Sequence, residues 1–332
     1  MNSVDPSTRK VQSTTYEAAS SKFSAVQLGY YRDPFLKFFI KKIEKRSPLI
    51  NRGYYSRVAA LRQYIDLFFK SLSDGKPVQV VNIGAGLDTT FFWIHERYKN
   101  VTYYEMDFYE LLREKSSVIN QVDELKRFLI YDEKTVNDWK KGDVINCVNY
   151  KMLSFDLNDW ASIERNLTSY EFNFSLPTLF LCECVLIYLE IESSDNLIKK
   201  LAELMKNTAC IIVYEQVNPS TAFGKIMIDN FNQRGIGLKS IYKYNSLDLQ
   251  LMRYKSLGWI NVYINDMNEI YDYHLGEDEK KEIEKIEMFD EFEEWRLLQN
   301  HYFILVAFNC YTSRLDKLHD FLKRKKGRCV AT

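Results

Sequence analysis

The sequence predicts a doubly wound α/β fold: a mostly parallel sheet of seven strands, with helices N-terminal to it and a helical insertion after the fifth strand. Three observations carry this. Short runs rich in Val, Ile, Leu and aromatic residues alternate with helix-like segments from Val78 to Phe308, the pattern of parallel strands joined by crossover helices. The first run, Val78-Gln79-Val80-Val81-Asn82-Ile83, stops at Gly84-Ala85-Gly86 and gives way to a helical segment after Asp88-Thr89-Thr90. That is the shape of a buried strand, a tight turn and a helix start. Carboxylates stand at or near the ends of the next three runs, as Asp107, Asp156 and Glu183, where ligands bind in open sheets of this kind.

Taken in order, residues 1–15 are polar and are expected to be disordered. Residues 16–31 read as a helix, with Ala18, Ala19, Phe23 and Val26 ahead of Gly29. Lys41-Lys42-Ile43-Glu44-Lys45-Arg46 reads as a solvated basic helix face. Asn51-Arg52-Gly53-Tyr54-Tyr55-Ser56-Arg57 leads into Val58 to Leu72, where Leu61, Ile65, Phe68, Phe69 and Leu72 fall at helical spacing. Residues 16–76 thus form an N-terminal helical cap, closed by the turn Asp74-Gly75-Lys76-Pro77. After the glycine turn, strands are expected at Val101–Met106, Asn149–Phe155, Leu179–Val185, Cys210–Tyr214, Tyr263–Asn265 and Tyr302–Phe308. Helices are expected at 109–121, Asn196–Lys206 and, strongly acidic, Asp278–Gln299. Residues 215–262 are too long for a simple loop and read as a helical insertion beside the strand C-termini. Residues 16–310 then make one domain, and 311–332 a basic tail.

Composition narrows the function classes. The chain has 332 residues, 46% of them apolar, with 23 Tyr and 21 Phe to fill a core. Lys and Arg total 45, as do Asp and Glu; without a basic excess a nucleic-acid partner is disfavoured. Met1 to Thr15 lacks an apolar signal-peptide core, and no apolar run approaches the roughly 20 residues that span a bilayer. A cytoplasmic protein without membrane insertion is expected. The cysteines form no CxxC and sit mostly in strand-like runs, as small buried thiols do. The histidines (His95, His274, His301, His319) have no ligand spacing, so no metal is expected.

The glycine turn has two readings. A diphosphate-binding fingerprint needs a third glycine, but Thr89 occupies that place. The other large group that combines a strand, a glycine turn and a downstream carboxylate is the S-adenosylmethionine methyltransferases, whose cofactor has no phosphate. Asp107, 23 positions after Gly84, can accept both ribose hydroxyls of an adenosine, or simply cap the next helix; Glu105 on the same strand face is the fallback. Asp156 can accept an adenine amino group while Leu157 packs on the ring, or start the turn at Asn158-Asp159. Glu183 lies inside the apolar run Leu179–Val185, and a buried carboxylate needs a partner. The ammonium of a methionine moiety is one candidate and an Arg or Lys the other. Lys22 and Arg57, taken alone, read as solvated cations.

Taken together, these stretches resemble the leucine carboxyl methyltransferase family. The likeness is carried by Asn51-Arg52-Gly53-Tyr54-Tyr55-Ser56-Arg57-Val58, Val80-Val81-Asn82-Ile83-Gly84-Ala85-Gly86-Leu87-Asp88-Thr89-Thr90, Tyr104-Glu105-Met106-Asp107-Phe108, Glu183-Cys184-Val185-Leu186-Ile187-Tyr188 and Tyr214-Glu215-Gln216-Val217-Asn218, in matching order over roughly residues 16–310. The resemblance implies a class I, Rossmann-like methyltransferase that takes S-adenosyl-L-methionine. It implies Lys22, Arg57, Gly84, Asp107, Asp156, Leu157 and Glu183 as cofactor contacts, with Lys22 and Arg57 facing the methionine carboxylate. It implies as substrate the C-terminal leucine carboxylate of the type-2A protein phosphatase catalytic subunit, whose holoenzyme assembly the ester regulates, and a chain that acts as a monomer.

A C-terminal carboxylate has a pKa of about 3.5 and is ionised at neutral pH, so no general base is expected. Tyr188 and the insertion are expected to hold the substrate tail. Alternatives are O-methylation of a small acid or of tRNA, or cofactor binding without catalysis. Paralogues that modify tRNA carry a long additional repeat domain, whereas this chain ends shortly after its last strand. The tail Lys323-Arg324-Lys325-Lys326-Gly327-Arg328 precedes Cys329-Val330-Ala331-Thr332. That has the form of a prenylation box with an unusual final Thr, or is a solvated basic tail.

Overall fold

A computed structural model describes residues 6–72, 75–135, 144–311 and 316–324. Seven strands form one sheet: β1 Val78–Ile83, β2 Val101–Asp107, β3 Tyr150–Ser154, β4 Thr178–Glu183, β5 Ala209–Gln216, β6 Asn261–Asp266 and β7 Tyr302–Phe308. Their order is β3-β2-β1-β4-β5-β7-β6. Strands β1 to β5 are mutually parallel, and β7 runs antiparallel to both β5 and β6. Strand order reverses between β1 and β4, so the crossovers on either side of that point leave to opposite faces and open a crevice at the strand C-termini.

β1 is buried along its whole length, as a central parallel strand must be. Its alternation divides the core. Val78 and Val80 face a layer built with the N-terminal helices, while Val81 and Ile83 face a second layer containing Ile163, Leu197, Leu201 and Tyr254. Helices α1, Pro6–Leu28, and α2, Pro48–Ser71, cover the first face. Helices Trp160–Ser169, Ile191–Leu204 and Leu247–Ser256 contribute to the second layer.

Five expectations change. Residues 41–46 are not a helix face but irregular chain leading into α2, held to α1 by the Arg46 N–H, which donates to Ser24 Oγ at 2.9 Å. Residues 6–15 are not disordered but helical, continuous with α1; Val11, Gln12, Thr14 and Thr15 line the crevice and find their packing there. The insertion is shorter than 215–262, because Leu247–Ser256 is a crossover helix whose Tyr254, with the adjacent Trp259, is buried in the second core layer. The helix expected at Asp278–Gln299 is two, Glu277–Ile283 and Phe292–Gln299; between them Phe289 turns inward beneath the Arg52 guanidinium, 3.8 Å from its ring centre. Within the tail, Asp316–Leu322 is a helix with Leu318, Phe321 and Leu322 buried. Cys329 and the basic run from Lys325 onward lie outside the described residues. Among the described residues, no helix is long and apolar enough to cross a membrane.

Candidate active site

The glycine turn sits at the C-terminal end of β1, under the crevice. Gly84 and Gly86 have φ of +68° and +50°, the left-handed region that glycine enters without cost. Each glycine also makes room for a side chain of the protein itself. A Cβ on Gly84 would overlap the methyls of Val185, and one on Gly86 would stand 2.7 Å from Thr15 Oγ1. The turn is therefore packed from one side by the segment after β4 and from the other by α1. Asp88, Thr89 and Thr90 do not cap the following helix by side chain. Instead Asp88 accepts the Asn82 amide at 2.9 Å, and Thr89 donates to the buried Asp33 at 2.5 Å, tying the turn to the chain between α1 and α2.

Asp107 ends β2 with 7% of its surface exposed. Its carboxylate accepts the N–H of Gly86 at 2.6 Å and that of Phe108 at 2.7 Å. Burial raises its pKa, and those N–H donors work against the rise. Asp107 thus holds the glycine turn in shape while lining the crevice. Glu105, the fallback, is not available there: it is wholly buried and bonded to Lys115 at 2.7 and 2.8 Å. Asp156 is exposed and accepts from the Asn158 N–H and side-chain amide at 2.9 and 2.8 Å. The turn reading is thereby realised, and Asp156 and Leu157 still face the same hollow as Asp107.

The two cations and Glu183 meet. Lys22 of α1 donates to Glu183 at 2.9 Å, and Arg57 of α2 is paired with the other carboxylate oxygen. Asp88 lies 3.8 Å from the Lys22 ammonium. Side-chain exposures of 13% for Lys22, 10% for Arg57 and 17% for Glu183 keep the cluster largely out of water. Burial alone would raise the Glu183 pKa, but Arg57 and Lys22 hold it at about 2. Burial disfavours both cations, yet Glu183 and Asp88 raise Lys22, and Glu183 holds Arg57 well above its ordinary value. The Arg57 guanidinium also lies over the Tyr214 ring, 4.3 Å from its centre.

These groups border two joined hollows. One, of about 270 Å³, contains Lys22, Arg57, Glu183 and Asp88, with Tyr54, Gln216 and Tyr302 in its wall. The other, of about 500 Å³, contains Asp107, Asp156 and Leu157. Gly84, Thr14, Thr15, Cys184 and Tyr188 belong to both. The far wall is the insertion helix Ala222–Gln233, and Arg234 just beyond it pairs with Glu17 of α1 at 2.7 Å. Every predicted site residue thus borders one continuous cleft. Sequence reasoning did not single out Tyr54, Gln216, Tyr302, Thr14 or Thr15 as cleft residues. Tyr54 and Gln216 lay inside stretches already singled out, whereas Thr14 and Thr15 carry no local signal. Among the described residues there is no cluster of three or more His, Cys, Asp or Glu that could hold a metal ion.

Residues 10–202 match the family model for leucine carboxyl methyltransferase. The chain belongs to that family. It is 36% identical to the leucine carboxyl methyltransferase 1 homolog of Arabidopsis thaliana over 300 residues, covering 90% of this chain and 89% of that one. It is 34% identical to leucine carboxyl methyltransferase 1 of Bos taurus over 296 residues, 88% of this chain and 87% of that one. The human tRNA wybutosine-synthesizing protein 4 is also 34% identical over 309 residues, but this chain spans only 44% of its length. The seven-stranded sheet with antiparallel β7 is the class I methyltransferase fold. This family member is a methyltransferase, and its methyl donor is S-adenosyl-L-methionine.

Proposed function

We propose that this chain methyl-esterifies the C-terminal leucine α-carboxylate of the type-2A protein phosphatase catalytic subunit and so regulates assembly of that phosphatase, acting as a cytoplasmic monomer. The observation that carries the reading is the cluster of Lys22, Arg57 and Glu183 above the glycine turn. Two cations and one carboxylate that satisfy one another suit a zwitterionic amino-acid group. Its ammonium takes the place of a cation at Glu183, and its carboxylate takes the place of Glu183 at Lys22 and Arg57. The neighbouring hollow suits an adenosine: Asp107 offers its remaining acceptor capacity to ribose hydroxyls, while Asp156 and Leu157 stand where an adenine edge and face would lie. Gly84 forms the floor between the two.

S-adenosylmethionine, when bound, supplies an electrophilic methyl group on a sulfonium. The chain's own contribution is then alignment and desolvation. The substrate carboxylate is already ionised at neutral pH, so no residue has to remove a proton. Tyr54, Tyr188, Gln216 and Tyr302 wall the side of the cleft beyond Arg57 and Glu183. In this reading they exclude water from the carboxylate and fix its approach, raising its nucleophilicity through orientation and lost hydration.

The test is transfer of label from S-adenosylmethionine to the intact phosphatase catalytic subunit, beside one lacking its final leucine. Base-labile label on the intact protein alone is the expected result. Label on neither, with cofactor binding intact, would discard the phosphatase as substrate. The 34% identity to a tRNA wybutosine-synthesizing protein supports a second reading as an O-methyltransferase of tRNA; transfer to bulk tRNA, measured in parallel, separates the two.

A further inference from the structure

β5 ends in Tyr214-Glu215-Gln216, and the cleft uses only the outer two. Strand alternation places Tyr214 beneath Arg57 and Gln216 in the cleft wall, and sends Glu215 to the opposite face. There it is 1% exposed, next to the core layer of Val185, Leu186, Val213 and Tyr254. An ionised carboxylate at such depth requires hydrogen bonds. Glu215 accepts the Ile187 N–H at 2.9 Å, and the N–H groups of Val185 and Leu186 lie near enough to lower its pKa as well. Three consecutive backbone donors around one anion form a nest.

The nest is the turn that follows β4. It begins at Cys184, whose φ of +57° is left-handed, and Cys184 N–H donates to the Tyr214 carbonyl at 2.8 Å. Glu183 precedes it, Tyr188 ends it, and Val185 fills the space over Gly84. The turn therefore carries one member of the ion cluster and one cleft wall, and Glu215 lies behind both. Arg253 is the cation acting on Glu215. It is itself paired with Asp195 at 2.7 Å and bonded to Ser194 at 2.6 Å, and its Nη1 has no partner. The other titratable neighbours are Cys182, Cys184, Tyr188 and Tyr254, all of them raised by burial and so neutral near pH 7.

We infer that Glu215 is a positioning residue: its ionised carboxylate gathers the amides of Val185, Leu186 and Ile187, and thereby sets where Glu183 and Tyr188 stand in the cleft. Protonation replaces an acceptor by a hydroxyl donor and releases the nest. Burial raises the Glu215 pKa to about 7 against the pull of Arg253 and the backbone donors, so the clamp holds above neutrality and loosens below it. The consequence for binding rests on the cofactor reading of the cleft; the clamp itself does not.

Two measurements test this on the full chain. The first is amide hydrogen exchange of residues 184–188, corrected for the intrinsic pH dependence of exchange. Glu215→Gln at about pH 8 is expected to exchange there about tenfold faster or more, the effect of losing hydrogen bonds to a charged group, and wild type at about pH 6 is expected to approach it. The second is S-adenosylmethionine affinity by calorimetry. Wild type is expected to weaken about tenfold between those two pH values, with the Gln variant weak and flat across them. A purely structural role would lower the melting temperature and leave that pH dependence in place. Exchange unchanged both in the variant and at low pH overturns the clamp. Altered exchange with unaltered affinity overturns the positioning role. A wild type that binds no cofactor at either pH overturns the cofactor reading, and exchange still decides the clamp. If the variant does not fold, the wild-type pH comparison decides.

Discussion

Replacing Glu183 by Gln removes a charge and keeps the volume, so it isolates the electrostatics of the cleft. In wild type the carboxylate separates Lys22 from Arg57, both of them largely buried. In the variant two cations face each other across a neutral amide, with Asp88 at 3.8 Å from Lys22 as the remaining anion. Removing one partner of a buried ion pair costs about 3–5 kcal/mol. The carboxyl itself leads to the same figure, because holding it at about 2 rather than 4.5 is worth on the order of 3 kcal/mol at neutral pH. For a chain of this length that corresponds to a fall of about 5 °C in Tm. The pKa is lowered on folding, so this stabilisation is fully present above about 4.5 and is lost as pH falls toward about 2. The difference in Tm between wild type and variant should therefore shrink over that window. S-adenosylmethionine affinity should fall between about tenfold and a hundredfold, the worth of a charged hydrogen bond to an ammonium. Thermal melts at several pH values and calorimetric titration measure both. A variant that melts within about 1 °C of wild type at neutral pH and binds cofactor equally well would refute the assignment of Glu183 as the centre of the cluster.

Other predictions follow from single contacts. Gly84→Ala places a methyl into Val185 at a φ of +68°, so it should cost about 1–3 kcal/mol and abolish cofactor binding, read by melting and calorimetry. Asp107→Ala leaves the Gly86 and Phe108 N–H groups without their acceptor; cofactor affinity should drop about tenfold, with Asp107→Asn intermediate because it keeps one acceptor oxygen. Lys115→Met removes the cation bonded to Glu105 in a site with no exposure, where burial already raises that carboxyl to about 7; Glu105 should take up a proton there, and the lost pair should destabilise by about 3 kcal/mol, while adding Glu105→Leu should restore most of that. Failure of the double variant to recover in a denaturant titration would show that the pair is needed for more than charge balance.

Much of the sheet was legible because its signals are local. The apolar run Tyr302–Phe308 is β7 from end to end, and Val78–Ile83 with its glycines is β1 and its turn. Glu183 was recognisable as a carboxylate that required a partner, since it ends a buried apolar strand. Which partner it had was not legible. Lys22 and Arg57 lie 161 and 126 positions earlier in the chain, and each looks like an ordinary helix-surface cation. Residues 6–15 misled for the opposite reason: their contacts are made by polar side chains such as Thr14 and Thr15 against the crevice, so no hydrophobic periodicity marks them. Asp107 was found for its position but not for its first task, because nothing in a linear sequence shows that its carboxylate lies within reach of the Gly86 N–H.

By itself the sequence determined the succession of strands and helices, the left-handed glycine turn at the end of β1 and the presence of a carboxylate at the buried end of β4. Each of these follows from steric preference and burial over a few neighbouring residues. The tertiary structure alone decided that β4 lies beside β1, that β7 inserts antiparallel between β5 and β6, and that α1 and α2 bring their cations onto Glu183. Those outcomes depend on pairing and desolvation between segments that are distant in the chain, the cations of α1 and α2 lying 161 and 126 positions from Glu183, and it is at that range that a set of ordinary charged residues becomes a binding site.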